Sequence, residues 1–119
     1  GVIAAFLRAP EKEKRIAEHT VRVGLLEELR IGEARLVRHG ITPFFVVRTD
    51  AQRVIALSAV CTHVRCILEF DRERRGLKCP CHDGRFSPAN GSVVSGPPPA
   101  PLPPVTVSVE GEQVFLVSA

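Results

Sequence analysis

The sequence predicts an all-β chain, and three observations point there. Valine is plentiful and β-branched, which suits extended backbone better than helix. From Val21 onward, short apolar runs alternate with turn signals about eight to twelve residues apart. Aromatic residues are scarce, six Phe with no Trp and no Tyr, so the core must be built from Val, Ile, Leu and Phe. The 119 residues suffice for one domain with a modest core, which at this size calls for a covalent or metal staple.

Residues 1–20 differ from the rest. Pro10 precedes a wholly charged run at 11–15, which has little to bury and reads as a tether. Residues 1–7 are apolar but far short of the ~20 residues that span a bilayer. They read either as an ordinary buried segment or as the end of an anchor helix. Residues 21–23 alternate as a short strand does, and residues 25–29 make one helical turn before Gly32. Residues 34–38 and 41–48 flank His39-Gly40, which reads as a tight hairpin turn. After a turn at 49–53, residues 54–60 form a near-continuous apolar run, expected to be a strand buried on both faces. Residues 67–70 and 77–78 read as the arms of a hairpin with a charged tip at 71–76. Pro88-Ala89-Asn90-Gly91 is a turn signal, followed by a short strand at 93–94. Residues 96–104 hold six prolines in nine positions, too many for a central strand, and read as a rigid surface loop. Two strands at 105–109 and 113–117, joined at Glu110-Gly111, close the chain.

The net charge is +3, with acids and bases interspersed. The densest basic run, Arg72-Glu73-Arg74-Arg75, is broken by Glu73 and preceded by Asp71, which suits a solvated hairpin tip rather than a nucleic-acid footprint. His19, in the tether, and His39, in a turn, read as solvated.

Chemistry concentrates in residues 61–86. All four cysteines lie there, with two of the four histidines, in two short groups: Cys61-Thr62-His63-Val64-Arg65-Cys66 and Cys79-Pro80-Cys81-His82-Asp83-Gly84. The hairpin between them would bring the groups together at its open end. Three readings compete. Two disulfides in an exported protein account for the cysteines and leave the histidines idle. A zinc ion on two cysteines and two histidines has suitable ligand types but leaves two cysteines over. A [2Fe–2S] centre with two histidines replacing two cysteines on one iron leaves a role for every residue.

The motif Cys-x-His-x-x-Cys followed by Cys-x-Cys-His resembles that of the Rieske proteins of cytochrome bc-type complexes, the quinol:cytochrome c and quinol:plastocyanin oxidoreductases. The likeness runs from about Val21 to Ala119 and includes Thr62, Pro80 and the loop Gly96-Pro97-Pro98-Pro99, which in that family closes over the cluster. The resemblance implies a small antiparallel β-sandwich of the Rieske type, residues 21–119, with a cluster-binding subdomain of two loops at about 61–95 and the proline-rich loop at 96–104. It implies one [2Fe–2S] cluster per chain, with Cys61, His63, Cys79 and His82 as ligands and Cys66 and Cys81 as a disulfide. The extra cysteine pair is absent from most Rieske oxygenases and their ferredoxins.

The implied function is electron transfer. The chain would be the iron–sulfur subunit that takes an electron and a proton from a quinol, with His82 as the main contact and His63 also exposed. It would pass the electron to a c-type cytochrome, beside a cytochrome b subunit. The protein would be anchored in a membrane, with residues 1–20 as tether and 1–7 as the stub of the anchor, and its head on the periplasmic or equivalent side. The alternative is an electron-relay subunit of another redox enzyme, such as the small subunit of arsenite oxidase.

The departures from the family pattern carry information. Val64 and Arg65 stand where the family often has leucine and glycine, so Arg65 puts a charge on the docking surface. Gly84 and Phe86 stand where it often has serine and tyrosine, whose hydroxyls donate to cluster sulfurs. Without those donors the potential should fall, which favours menaquinol over ubiquinol as donor.

Overall fold

The computed structural model describes residues 20–117. The expected tether and anchor stub lie outside the described residues except for Thr20, which opens the first strand.

Ten strands follow in order: β1 (Thr20–Leu25), β2 (Ala34–His39), β3 (Thr42–Arg48), β4 (Val54–Ser58), β5 (Glu69–Asp71), β6 (Gly76–Lys78), β7 (Arg85–Phe86), β8 (Val93–Ser95), β9 (Pro104–Glu110) and β10 (Gln113–Val117). A single turn of 3-10 helix at Leu26–Glu28 is the only helical element among the described residues. The strands make a six-stranded sheet, ordered β1-β10-β9-β4-β3-β2, and a four-stranded sheet, ordered β5-β6-β7-β8. All ladder pairs are antiparallel. The fold is thus the antiparallel all-β arrangement the sequence implies.

Strands β3 and β4 separate two cores. Side chains alternate across a strand, and here successive residues enter different clusters. Val46, Val54 and Ala56 join Leu29, Val114 and Leu116 in a base core, where β10 folds back over β3 and β4. Phe45, Val47, Leu57 and Ala59 join Leu68, Leu77, Phe86, Leu102, Cys61 and Cys79 in a second core beneath the small sheet. The apolar run at 54–60 therefore lacks polar alternation because β4 is covered on both faces. Each buried Val, Leu or Phe side chain contributes about 1.5–3 kcal/mol of transfer free energy.

Arg48 fastens the base. Its Nη1 donates to the carbonyls of Leu26 (3.3 Å) and Leu29 (3.4 Å), at the short helical turn that delivers Leu29 to the core. The Glu28 carboxylate accepts from the Leu25 N–H at 2.9 Å at the other end of that turn.

Several local expectations need correction. Both long hairpins turn one residue later than expected. His39 pairs with Thr42, leaving Gly40-Ile41 as the turn, and Glu110 pairs with Gln113, leaving Gly111-Glu112. Gly40 and Gly111 take positive φ, 62° and 60°, at the first central position. With glycine placed second, a His or Glu side chain would have had to enter the left-handed region. His39 is accordingly the exposed last residue of β2. Strand β7, Arg85–Phe86, was not anticipated; it lies between β6 and β8. The proline-rich segment is not wholly a surface loop. Leu102 is 1% exposed in the second core, its N–H donates to the Gly91 carbonyl at 2.9 Å, and Pro104 already belongs to β9, opposite Leu57. As the first residue of its strand, Pro104 is tolerated despite lacking a donor.

Candidate metal centre

The two cysteine–histidine groups fold into the same loop twice. The first lies between the paired residues Val60 and Ile67, the second between Lys78 and Arg85. In the first, the Cys61 N–H donates to the Cys66 carbonyl (2.9 Å) and the Cys66 N–H to that of Val64 (2.8 Å). In the second, the Cys79 N–H donates to the Gly84 carbonyl (2.8 Å) and the Gly84 N–H to that of His82 (2.7 Å). Position by position, Cys61 matches Cys79, Arg65 matches Asp83 and Cys66 matches Gly84.

The first position of each loop is buried. Cys61 is 3% and Cys79 is 1% exposed; both are free thiols and part of the second core. Burial pushes the Cys61 thiol up, but the backbone N–H groups of Val64 and His63 and the facing Cys79 side chain outweigh it, leaving the thiol below its ordinary value. Donors aimed at a sulfur favour its thiolate, the form that binds metal. His63 and His82 are exposed, and their rings meet edge to face with centroids 5.1 Å apart. Cys66 and Cys81 form a disulfide with a Cα–Cα distance of 6.4 Å, tying the last position of the first loop to the third of the second.

The proline-rich segment closes over both loops. The Thr62 hydroxyl donates to the Ala100 carbonyl at 2.7 Å. On the other side Pro98 sits on Gly84: a Cβ there would lie 2.7 Å from Pro98 Cγ and 3.1 Å from its Cδ. Gly96 rests on the same peptide, since a Cβ on it would lie 2.6 Å from the Asp83 carbonyl oxygen. Glycine at 84 therefore does more than omit a hydroxyl; it admits the proline. Phe86 is fully buried in the second core.

Sequence reasoning missed one support of the second loop. Arg85 Nη1 pairs with Asp71 Oδ2 at 3.2 Å, and Asp71 Oδ1 accepts from the N–H groups of Glu73 and Arg74. The Arg74 N–H, with the Arg85 guanidinium, outweighs partial burial and holds the Asp71 carboxyl below its usual range. An aspartate opening a charged turn was the available signal.

Two opposed buried thiols and two adjacent exposed imidazoles make a donor set divided two and two. Among the described residues no three His, Cys, Asp or Glu side chains converge as a single ion would require. A two-iron cluster with bridging sulfides asks for only two protein ligands at each iron. Cys61, Cys79, His63 and His82 fit that group.

The comparisons with known proteins agree with this chemistry. The model of one family, described as Rieske [2Fe–2S] domain, matches residues 19–106. A cytochrome b6-f complex iron-sulfur subunit of Chlorobaculum thiosulfatiphilum is 31% identical over 126 residues, covering 100% of this chain and 69% of the relative. A protein named putative respiratory nitrate reductase subunit Rieske, from Haloferax mediterranei, is 51% identical over 82 residues, covering 64% and 37%. Among solved structures, the plasma membrane Rieske protein of Synechocystis superposes with a TM-score of 0.71 at 28% identity, over 83% of this chain and 99% of that one. The chain spans between 12% and 69% of the length of the curated relatives it matches, and about half of most.

Proposed function

We propose, from the premise that this chain belongs to the Rieske [2Fe–2S] domain family, that Cys61 and Cys79 hold one iron of its cluster and His63 and His82 the other. The observation that carries this assignment is the division of the donors, buried thiols on one side and exposed imidazoles on the other. The bound group supplies a one-electron carrier whose potential lies above that of four-cysteine clusters, because two neutral imidazoles replace two thiolates.

The protein residues do the rest. Cys61 and Cys79, sealed from water, anchor the group in the core. His63 and His82 present ring nitrogens to solvent, and His82 accepts the hydrogen bond of a quinol. With the group bound, the exposed ring of His82 would also be the place where the quinol's proton is received. The chain then serves as the iron–sulfur subunit of a bc-type complex, beside a cytochrome b subunit, passing electrons to a c-type cytochrome. Residues 1–19, ahead of β1, act as tether toward a membrane anchor. Among the described residues no helix is long and apolar enough to cross a membrane. The Cys66–Cys81 disulfide suits an oxidising compartment, which favours the periplasmic or equivalent side.

Menaquinol is the favoured donor. Gly84 and Phe86 bring no hydroxyl to the cluster sulfurs, and fewer donors lower the potential. A redox titration of the holo-protein near neutral pH tests this: a potential below that of family members bearing serine and tyrosine supports it, and one as high overturns it. A relay subunit of another redox enzyme is the second reading, favoured by the 51% identity to the protein named as a nitrate reductase Rieske subunit. Isolating the complex from native membranes separates the two. Haem b and haem c with quinol-dependent reduction support the first, and a quinol-insensitive molybdenum enzyme supports the second.

A further inference from the structure

Three segments make the cofactor end: 61–66, 79–84 and 96–103. Histidines aside, they contain one cation and one anion, Arg65 and Asp83. These two take the same place, the fifth, in the two repeated loops, and both are exposed. Neither makes a side-chain hydrogen bond or an ion pair among the described residues. On the small sheet Arg85 pairs with Asp71 and Arg72 with Glu33, while Glu69, Glu73, Arg74, Arg75 and Lys78 make no ion pair among the described residues. The mounts are stiff. Arg65 precedes the disulfide residue Cys66, and the Asp83 carbonyl is pressed against Gly96.

We propose that Arg65 and Asp83 form an opposed pair of charges at the His63–His82 face that selects and orients a redox protein carrying the reverse pair on its docking rim, a carboxylate toward Arg65 and a cationic side chain toward Asp83. The proposal rests on the reading of the two histidines as exposed cluster ligands. Opposed charges add little net attraction, but they fix the register of docking and penalise the inverted approach. Their reach is about 30 Å at 0.01 M ionic strength and about 8 Å at 0.15 M. The rest of the three segments is uncharged apart from the histidines, with Thr62, Val64, Pro80, Pro97 and Pro99 beside the pair.

Small redox ions read each charge separately. The reduced holo-protein gives one electron to ferricyanide, forming ferrocyanide, or to tris(phenanthroline)cobalt(III), forming the cobalt(II) complex; no bond to the protein forms or breaks. At low ionic strength Arg65→Gln should slow ferricyanide and speed the cobalt complex, each by about threefold to tenfold. Asp83→Asn should do the reverse, whereas Arg65→Lys and the exchanged pair R65D/D83R, which leave the local net charge as it is, should both keep the wild-type ratio. Reduction potential is the second readout, falling in Arg65→Gln and rising in Asp83→Asn. Arg65→Gln and Asp83→Asn variants with an intact Rieske EPR signal but unchanged rates and potentials overturn the proposal. A wild-type protein that never shows that signal overturns the cluster assignment instead.

Discussion

Loops 61–66 and 79–84 have the same backbone and different duties. Each is closed by the same two hydrogen bonds, and each starts from a buried cysteine. They diverge at the remaining positions. The first loop ends in Cys66, which reaches across to Cys81, whereas the second ends in Gly84, which receives Pro98. At the second position, the first loop offers the Thr62 hydroxyl to Ala100, while the second has Pro80. The proline-rich segment is thus held by a hydrogen bond on one side and by close packing on the other. A repeated backbone sets where side chains stand, and the unlike residues on it decide what holds the site shut.

Three substitutions, one of them combined with a fourth, press on that contrast. Cys66→Ser removes the covalent tie, which encloses a separation of 15 residues, and should cost about 3 kcal/mol in denaturant unfolding compared with the oxidised wild type. An unchanged midpoint would mean that packing alone keeps the loops joined. Gly84→Ala should cost about 1–3 kcal/mol, because the added Cβ meets the Pro98 ring. Combined with Pro98→Ala, most of that cost should vanish, and a double-mutant cycle with no coupling would refute the contact as the reason for glycine. Thr62→Val should cost least, about 0.5–1.5 kcal/mol for one hydrogen bond, seen as a small shift in the same unfolding curves.

Much of the molecule was legible because its strongest signals are local. The near-continuous apolar run ending at Val60 announced a strand covered on both sides, and β4 is one. The doubled cysteine–histidine pattern marked the two loops that the structure brings together. What escaped depends on contacts between distant residues. Arg85–Phe86 is too short for any periodicity and is a strand only because β6 and β8 flank it. Leu102 looked like a loop residue among prolines, yet it is the one large aliphatic side chain in that stretch, and the core takes it in. The two hairpin turns slipped by one residue because sequence marks a glycine but not which central position it fills. At Gly84 the missing hydroxyl could be read from the sequence, but the proline occupying its space could not.

Strands β3 and β4 carry a consequence for motion. Phe45 and Val46 are neighbours in one strand, yet the first packs toward the cofactor end and the second into the base. Local opening of either core must disturb the wall it shares with the other, so residues 20–117 are built to open as one cooperative unit rather than in halves. An electron carrier made this way is a rigid courier. Through the shared wall of β3 and β4, the histidine face, the disulfide and the base sheet keep their places relative to one another.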